Sequence, residues 1–266
     1  FNDLFVTLVD SQGAGNPADK NTLSSLAYAL KDLQVFEVAL GGGETTAHPD
    51  FVAILDSFRW QGIVPNFTTK DLKWLRDKDL AAQILERCGA FAYSAETALA
   101  VEMFAEVWKA VGWKKDTSSY PPVEKATIQH VVGTEDEASF KALLLACHNA
   151  HLPVTLLGYK TVGRGLMYQP KAFDWVKVVA DVVKDKHLRI GIDTVLADTS
   201  YQALKDAGVP EWCVTRQEGK FSAYIDAVEG KMGPSSFCKK NEYSKVNLAA
   251  GYTVLADDIT KTFQTY

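Results

Sequence analysis

"VFEVALGGGETTAHPDF", residues 35–51, is an apolar run that enters three consecutive glycines, a glutamate and two threonines before a second apolar segment opens behind Pro49. The run up to Leu40 reads as a strand, and "PDFVAILDSFRW" (49–60) as a helix with proline in its first turn, where a missing N–H costs nothing. Consecutive glycines let backbone N–H groups approach a ligand without side-chain obstruction, and a helix N-terminus just beyond favours an anionic or carboxylate group. The same residues suit a tight strand-to-helix turn equally well, with glycine only relieving crowding. Neither G-x-x-x-x-G-K-[ST] nor G-x-G-x-x-G occurs, which excludes a P-loop and argues against a dinucleotide fold.

Outward from this stretch, strands and helices alternate. "NDLFVTLV" (2–9) reads as a buried strand, Thr22–Leu33 as an amphipathic helix, "IVPNFTT" as a strand, Asp71–Cys88 as one helix and "GAFAYS" (89–94) as a strand. On the next helix Leu99, Met103, Val107 and Val111 recur at four-residue spacing and form the expected core face. Beyond "YPP", strand "ATIQHVV" (126–132) precedes a capping-box pattern, Thr134 with Glu137, and a helix to about Ala150. Strand "PVTLLGYK" (153–160), helix "AFDWVKVVADVVKD" (172–185), strand "LRIGID" (188–193) and helix "SYQALKDAG" (200–208) continue the rhythm.

Such regular alternation predicts parallel strands joined by right-handed crossovers: an α/β protein built as a partial (β/α) TIM-like barrel. Loops after barrel strands converge on one mouth, so "GGGETT", "TTKD", "YSAE", "QHVVG", "GYKTVGRG" and "IDT" are expected to face one cavity. "FSAYIDAVEGKMGPSSFC" (221–238) reads as a C-terminal β-hairpin, giving a barrel over residues 1–210 and an extension over 211–266.

With 266 residues, 47% of them hydrophobic and 23% charged, the chain can bury a full-sized core, and no linker composition divides it. The net charge of −5 and the lack of a basic stripe give no support for nucleic-acid binding. No apolar run approaches the roughly 18 to 20 residues of a membrane span, and no secretion signal opens the chain, so a cytoplasmic location without a membrane partner is expected. Cys88, Cys147, Cys213 and Cys238 are scattered, which predicts reduced thiols. The first residue is Phe1 rather than methionine, so the chain is expected to differ from the intact translation product.

"GGGETTAHPDF" resembles the second-strand motif of radical S-adenosylmethionine (SAM) enzymes, G-G-E-P-[ST], and "HPDFVAILDSFRWQGIVPNFTTKD" continues the resemblance through the next strand. "GAFAYSAE", "ATIQHVVG" and "VTLLGYKTVGRG" resemble that family's fourth to sixth strands, so the likeness covers most of residues 20–200. It implies that Gly41, Gly42 and Gly43 bind the methionine amino group of SAM largely through backbone atoms, that Glu44 anchors the loop, and that Thr68, Thr69, Ser94 and Gln129 contact the rest of the cofactor. Thr45 replaces the family's usual proline, which loosens the turn.

The resemblance also implies a 4Fe-4S cluster, an electron donor, and a 5′-deoxyadenosyl radical that abstracts hydrogen from a substrate in the barrel. The family holds its cluster on a C-x3-C-x2-C loop after the first strand, since thiolates are the ligands it needs. That triplet is absent: the loop is expected between Val9 and Ala14, where "LFVTLVD" passes directly to "SQGAG". Either the chain is a clusterless relative acting as a binding or scaffold protein, or the cysteine loop belongs to the encoded polypeptide but not to these residues. The second reading is preferred because the surrounding motifs are intact and because cluster binding and local folding are coupled. An unrelated barrel enzyme using the glycine loop for a phosphate ligand is a third reading.

His130, Lys160, Arg164 and Asp193 sit at strand ends and are candidate substrate ligands; the competing readings are a hydrogen-bonded core histidine and ordinary solvated loop residues. The C-terminal hairpin resembles extensions of peptide-modifying radical enzymes, in which cysteines ligate an auxiliary cluster. This makes a peptide the preferred substrate and Cys213 and Cys238 the candidate auxiliary metal ligands, against a capping hairpin with Cys238 as a small buried residue. Cys147, His148 and His151 read as a helix end packed on the sheet rather than a metal site. No G-x-S-x-G elbow supports a nucleophilic serine.

Overall fold

The computed structural model describes residues 3–9, 17–113, 124–160, 168–186, 188–216 and 222–265. In chain order these form β1 (Asp3–Val9), α1 (Lys20–Asp32), β2 (Glu37–Gly42), α2 (Phe51–Trp60), β3 (Val64–Thr69), α3 (Lys73–Arg76), α4 (Lys78–Arg87), β4 (Phe91–Ser94), α5 (Ala98–Val111), β5 (Ala126–Val131), α6 (Glu137–Asn149), β6 (Val154–Leu157), α7 (Trp175–Lys186), β7 (Ile190–Ile192), α8 (Thr194–Asp206), β8 (Ser222–Asp226), β9 (Lys231–Gly233), β10 (Ser244–Lys245) and α9 (Tyr252–Phe263). The fold is α/β with mostly parallel strands, a partial (β/α) TIM-like barrel whose sheet is not closed, carrying a C-terminal β-hairpin. Among the described residues, no helix is long and apolar enough to cross a membrane.

The chain divides into two compact units, residues 1–91 with 218–266, and residues 92–217. In the first unit the strand order is β10-β9-β8-β1-β2-β3. β1 pairs in parallel with both β2 and β8, while the β8–β9 hairpin and β10 are antiparallel. Period-two alternation buries Val6 and Leu8 of β1, Val38 and Leu40 of β2, and Ala223 and Ile225 of β8. The buried stripes of the flanking helices are Leu23, Leu26 and Leu30 on α1, Ile54, Leu55 and Phe58 on α2, and Leu255 and Ile259 on α9. Each such side chain contributes roughly 1.5–3 kcal/mol when fully buried. Asp19 caps α1, its carboxylate accepting from the N–H groups of Asn21 and Thr22 at 2.9 and 3.0 Å. In the second unit β5, β6 and β7 run parallel, and β7 takes a further parallel bridge from Val214 to Ile192.

Several local expectations are corrected. α2 begins at Phe51, not at Pro49, because a 3-10 turn over Thr45–Ala47 intervenes and His48 Nδ1 accepts the Asp50 N–H at 3.1 Å. The helix expected over 71–88 is two helices; Asp77 leaves the helical region (φ −85°, ψ 104°) to cap α4 through the N–H groups of Asp79 and Leu80. On α5 the core face is Val101 and Phe104, whereas Leu99 and Met103 are 63% and 47% exposed. Phe104 stacks on Tyr93 at 4.8 Å and on Trp108 at 6.4 Å, so large aromatic rings at an equally helical spacing set the rotation of the helix. Asp136, not Thr134, caps α6 by accepting the Ser139 N–H at 2.9 Å; the Thr134 hydroxyl donates back to the Val131 carbonyl. α8 starts at Thr194, six residues earlier than expected, because Asp193 caps it.

Candidate functional site

The glycine loop closes on a single carboxylate. Glu44 Oε1 accepts from the Thr46 hydroxyl at 2.6 Å, the Thr46 N–H at 3.2 Å and the Thr69 hydroxyl at 2.7 Å. Its Oε2 accepts from the N–H groups of Lys70 and Asp71 at 2.8 and 3.0 Å. Glu44 therefore staples the segment after β2 to the segment after β3. A second stitch runs in parallel, the buried Thr45 hydroxyl donating to the Thr68 carbonyl at 2.8 Å. His48 adds a third: its Nδ1 is an acceptor, so the ring proton sits on Nε2 and is donated to the Ala18 carbonyl at 2.9 Å. Sequence reasoning missed His48; its place four residues after the glutamate was the available signal.

These stitches order a stretch in which glycine is needed for two reasons. Gly42 has φ +109°, a conformation that side chains rarely adopt. Gly41 lies opposite Thr7 in the β1–β2 register, and a Cβ built on it would meet no heavy atom within 4 Å. Open space thus borders the backbone of Gly41, the condition for a ligand to approach main-chain groups. Gly41, Gly42, Gly43, Glu44, Thr68 and Thr69 are brought together in the first unit. Thr69 is buried with its hydroxyl on Glu44, whereas Thr68 is half-buried.

The other expected residues lie in the second unit. Ser94 ends β4, and the next residue links it to β5, the Ala95 N–H donating to the Gln129 carbonyl at 3.0 Å. His130 is buried, stacks on Phe140 at 5.6 Å, and donates from Nδ1 to the Ala95 carbonyl at 2.9 Å. Its Nε2 has no hydrogen-bond partner among the described residues. Asp193 Oδ1 accepts from the N–H groups of Gly158 and Leu196 at 2.9 and 3.0 Å, tying the end of β6 to the start of α8. Gly158 must be glycine there, since a Cβ would fall 2.3 Å from Val195 Cγ1. Lys160 is half-buried in the segment after β6, and Arg164 lies outside the described residues.

Burial lowers the pKa of His130 below its ordinary 6.5, while the hydrogen bond to Ala95 and the charges of Glu135 and Glu96 act in the opposite sense. The folded state therefore holds the ring neutral. The stability this carries is fully present above about pH 6.5 and declines as pH falls from there through the lowered folded value, because the unfolded chain binds the proton first. Denaturant midpoints measured between pH 7.5 and 5 should fall in the wild type and fall less in His130→Phe.

Among the described residues, no three His, Cys, Asp or Glu side chains group as a metal site. Cys213 is buried in a 3-10 turn, Glu211–Cys213, and burial pushes its thiol pKa up. Cys147 is buried within α6, its pKa pushed up to about 12 by desolvation. Cys238 is half-buried beside Gly233, where a Cβ would meet its Sγ at 2.8 Å.

No protein-family model matches the chain, and no curated protein does. Solved structures do. Streptococcus suis SuiB bound to its precursor peptide SuiA superposes with a TM-score of 0.68 at 16% identity, over 96% of this chain and 64% of that one. SuiB bound to S-adenosylmethionine gives 0.65 at 16% identity over 96% and 65%. anSMEcpe with bound AdoMet gives 0.64 at 14% identity over 99% of this chain and 84% of that one. The chain thus spans slightly less than two thirds of the length of SuiB. SuiB and anSMEcpe are radical SAM enzymes, and what this chain is shown to share with them is the partial-barrel fold.

Proposed function

We propose that the chain binds SAM at its glycine loop and acts as a radical SAM enzyme, with a peptide as the preferred substrate. The observation that carries this reading is the Glu44 staple. It presents open backbone at Gly41 on the fold shared with two proteins solved with that nucleoside bound. On this reading Gly41, Gly42 and Gly43 hold the methionine end, Glu44 positions them from behind, and Thr68, Ser94 and Gln129 contact the remainder. Thr69 contributes through Glu44. His130 and Asp193 shape the substrate side, where Lys160 and Arg164 would bind a carboxylate or phosphate. Barrel and extension divide at residue 210, and the location is cytoplasmic. SuiB was solved with a precursor peptide, which supports the peptide preference.

SAM fits the residues present; a four-iron cluster does not. The family's cluster needs three neighbouring thiolates, and the chain has four cysteines, the first of them Cys88 and three of the four buried. We place the ligand trio in the encoded polypeptide between Val9 and Ala14, with an electron donor as a further partner, and hold Cys213 and Cys238 as auxiliary ligands. The missing trio favours a second reading, a barrel that binds SAM without reducing it. Sequencing the gene across Val9–Ala14 and reconstituting its product anaerobically separates the two. The enzyme reading expects about four irons per chain from the first cluster and 5′-deoxyadenosine on reduction. A gene without the trio, giving a product that binds SAM but no iron, establishes the second reading instead.

A further inference from the structure

β1 runs between β2 and β8, hydrogen bonded to both, and Val6 and Leu8 fill one of its faces. Helices cover the outside of a (β/α) barrel, so Phe5 and Thr7, which alternate with that buried pair, face its inside. There Phe5 is 49% exposed, although a strand paired on both edges in a parallel sheet is normally covered on both faces. Residues opposite one another in a ladder share a face, so Phe5 stands in one row with Ala39 of β2, Tyr224 of β8 and Gly233 of β9.

Two aromatic rings in this row are held in place. The Tyr224 hydroxyl is hydrogen bonded to Thr7 Oγ1 at 2.8 Å, and the Tyr224 ring meets that of Tyr243 edge-on at 6.1 Å. Tyr243 lies over Gly233, where a Cβ would fall 2.9 Å from its ring, and its hydroxyl donates to the Ser235 carbonyl at 3.2 Å. The charges one pleat to either side of the row are already matched. Asp226 Oδ1 accepts from the N–H groups of Val228 and Glu229, both at 3.0 Å, and Lys231 Nζ stands 3.7 Å from its Oδ2. Glu37 accepts from the Asn66 amide at 2.8 Å. What the row offers a ligand is therefore apolar contact, centred on Phe5. It also adjoins the glycine loop: Ala39 precedes Gly41 by two residues on the same face, about 7 Å along the strand. A Cβ built on Gly41 would meet no heavy atom within 4 Å, so this face is open at both rows, and groups resting on Phe5 and at Gly41 can touch.

We propose that Phe5, braced by Tyr224 and Tyr243, is the contact for an apolar side chain of the peptide substrate, and that it sets which residue of the peptide is brought beside the cofactor. This rests on the radical SAM reading above and adds the class of side chain selected. Covering an exposed phenylalanine releases apolar surface from water, and a wall whose neighbouring rings are already fixed loses little freedom when it is covered. A charged side chain placed there would lose its hydration without finding an unmatched partner.

The test is NMR titration of the pentapeptides acetyl-Gly-Gly-X-Gly-Gly-amide, with X as phenylalanine, lysine or glutamate, into the SAM-loaded chain as wild type, Phe5→Ala, Phe5→Leu and Phe5→Glu. Wild type should take the phenylalanine peptide about tenfold more tightly than the glutamate peptide. Phe5→Ala should lose that preference, Phe5→Leu should keep it within about threefold, and Phe5→Glu should transfer it to the lysine peptide. SAM affinity should stay within about twofold of wild type in all three variants. Equal binding of the three peptides by wild type, or an unchanged preference in Phe5→Ala, overturns this inference alone. So does a wild type that prefers the lysine peptide, which would make the rings a cation site, or a dimer in sedimentation that Phe5→Ala dissociates, which would put a second copy on this face. Wild-type protein that does not bind SAM overturns the radical SAM reading and this inference with it.

Discussion

Glu44→Ala should lower the stability of the chain by about 2–4 kcal/mol and reduce SAM affinity by more than about tenfold. The carboxylate takes five hydrogen bonds from four residues, and three of the donors are main-chain N–H groups that cannot turn away. Removing the acceptor takes this partner from the Thr46 and Lys70 N–H groups and the Thr46 hydroxyl; the buried Thr69 hydroxyl keeps the Asp71 carbonyl at 3.2 Å, and the Asp71 N–H keeps Thr69 Oγ1 at 3.1 Å. For a chain of this size the melting temperature should fall on the order of 10 °C. Glu44→Gln should cost about half as much, because its amide places an N–H₂ against one set of donors while its oxygen serves the other. Thermal melts and calorimetric SAM titrations on the same samples check this. A glutamate that only touched ligand would lose affinity with the melt unchanged; a staple loses both together.

The glycine loop was legible in the sequence because its requirement is local. Three glycines followed by a polar anchor announce a backbone that must bend and be approached, and Gly42 at φ +109° meets that description. The identity of Glu44 as an anchor was legible too, but its partners were not: Thr69, Lys70 and Asp71 lie 25 to 27 residues away and meet it only through strand register. Asp193 is a similar case. As an acidic residue ending a strand it reads as a candidate ligand, but the partners its Oδ1 takes, the Gly158 and Leu196 N–H groups, were not legible, because α8 starts earlier than its apolar periodicity suggested. On α5, two stripes of equal helical spacing competed, and only the position of Tyr93 decides between them. Thr7, Tyr224 and Asp226 carry no motif; parallel pairing between strands more than 200 residues apart makes them neighbours.

Phe67→Ala is expected to be the most destabilising single change in the first unit, at about 3–5 kcal/mol. Phe67 is buried on β3 and touches three other rings: Phe51 of α2 edge-on at 5.1 Å, Trp74 of α3 at 5.5 Å, and Phe91 stacked at 5.5 Å. Trp74 and Phe91 meet one another edge-on at 5.1 Å, so the removed ring leaves a cavity that no neighbour can fill by a rotamer change alone. The damage should reach the candidate site, because the next two residues are Thr68, whose carbonyl holds Thr45, and Thr69, whose hydroxyl holds Glu44. Phe67→Leu, which keeps most of the volume, should cost less than half as much and leave SAM binding within about threefold of wild type. Urea unfolding and SAM titration of both variants provide the check. If Phe67→Ala bound SAM as tightly as wild type despite the lost stability, the coupling between this aromatic cluster and the glycine loop would be refuted, since the Thr68 carbonyl and the Thr69 hydroxyl that hold Thr45 and Glu44 follow Phe67 directly on β3.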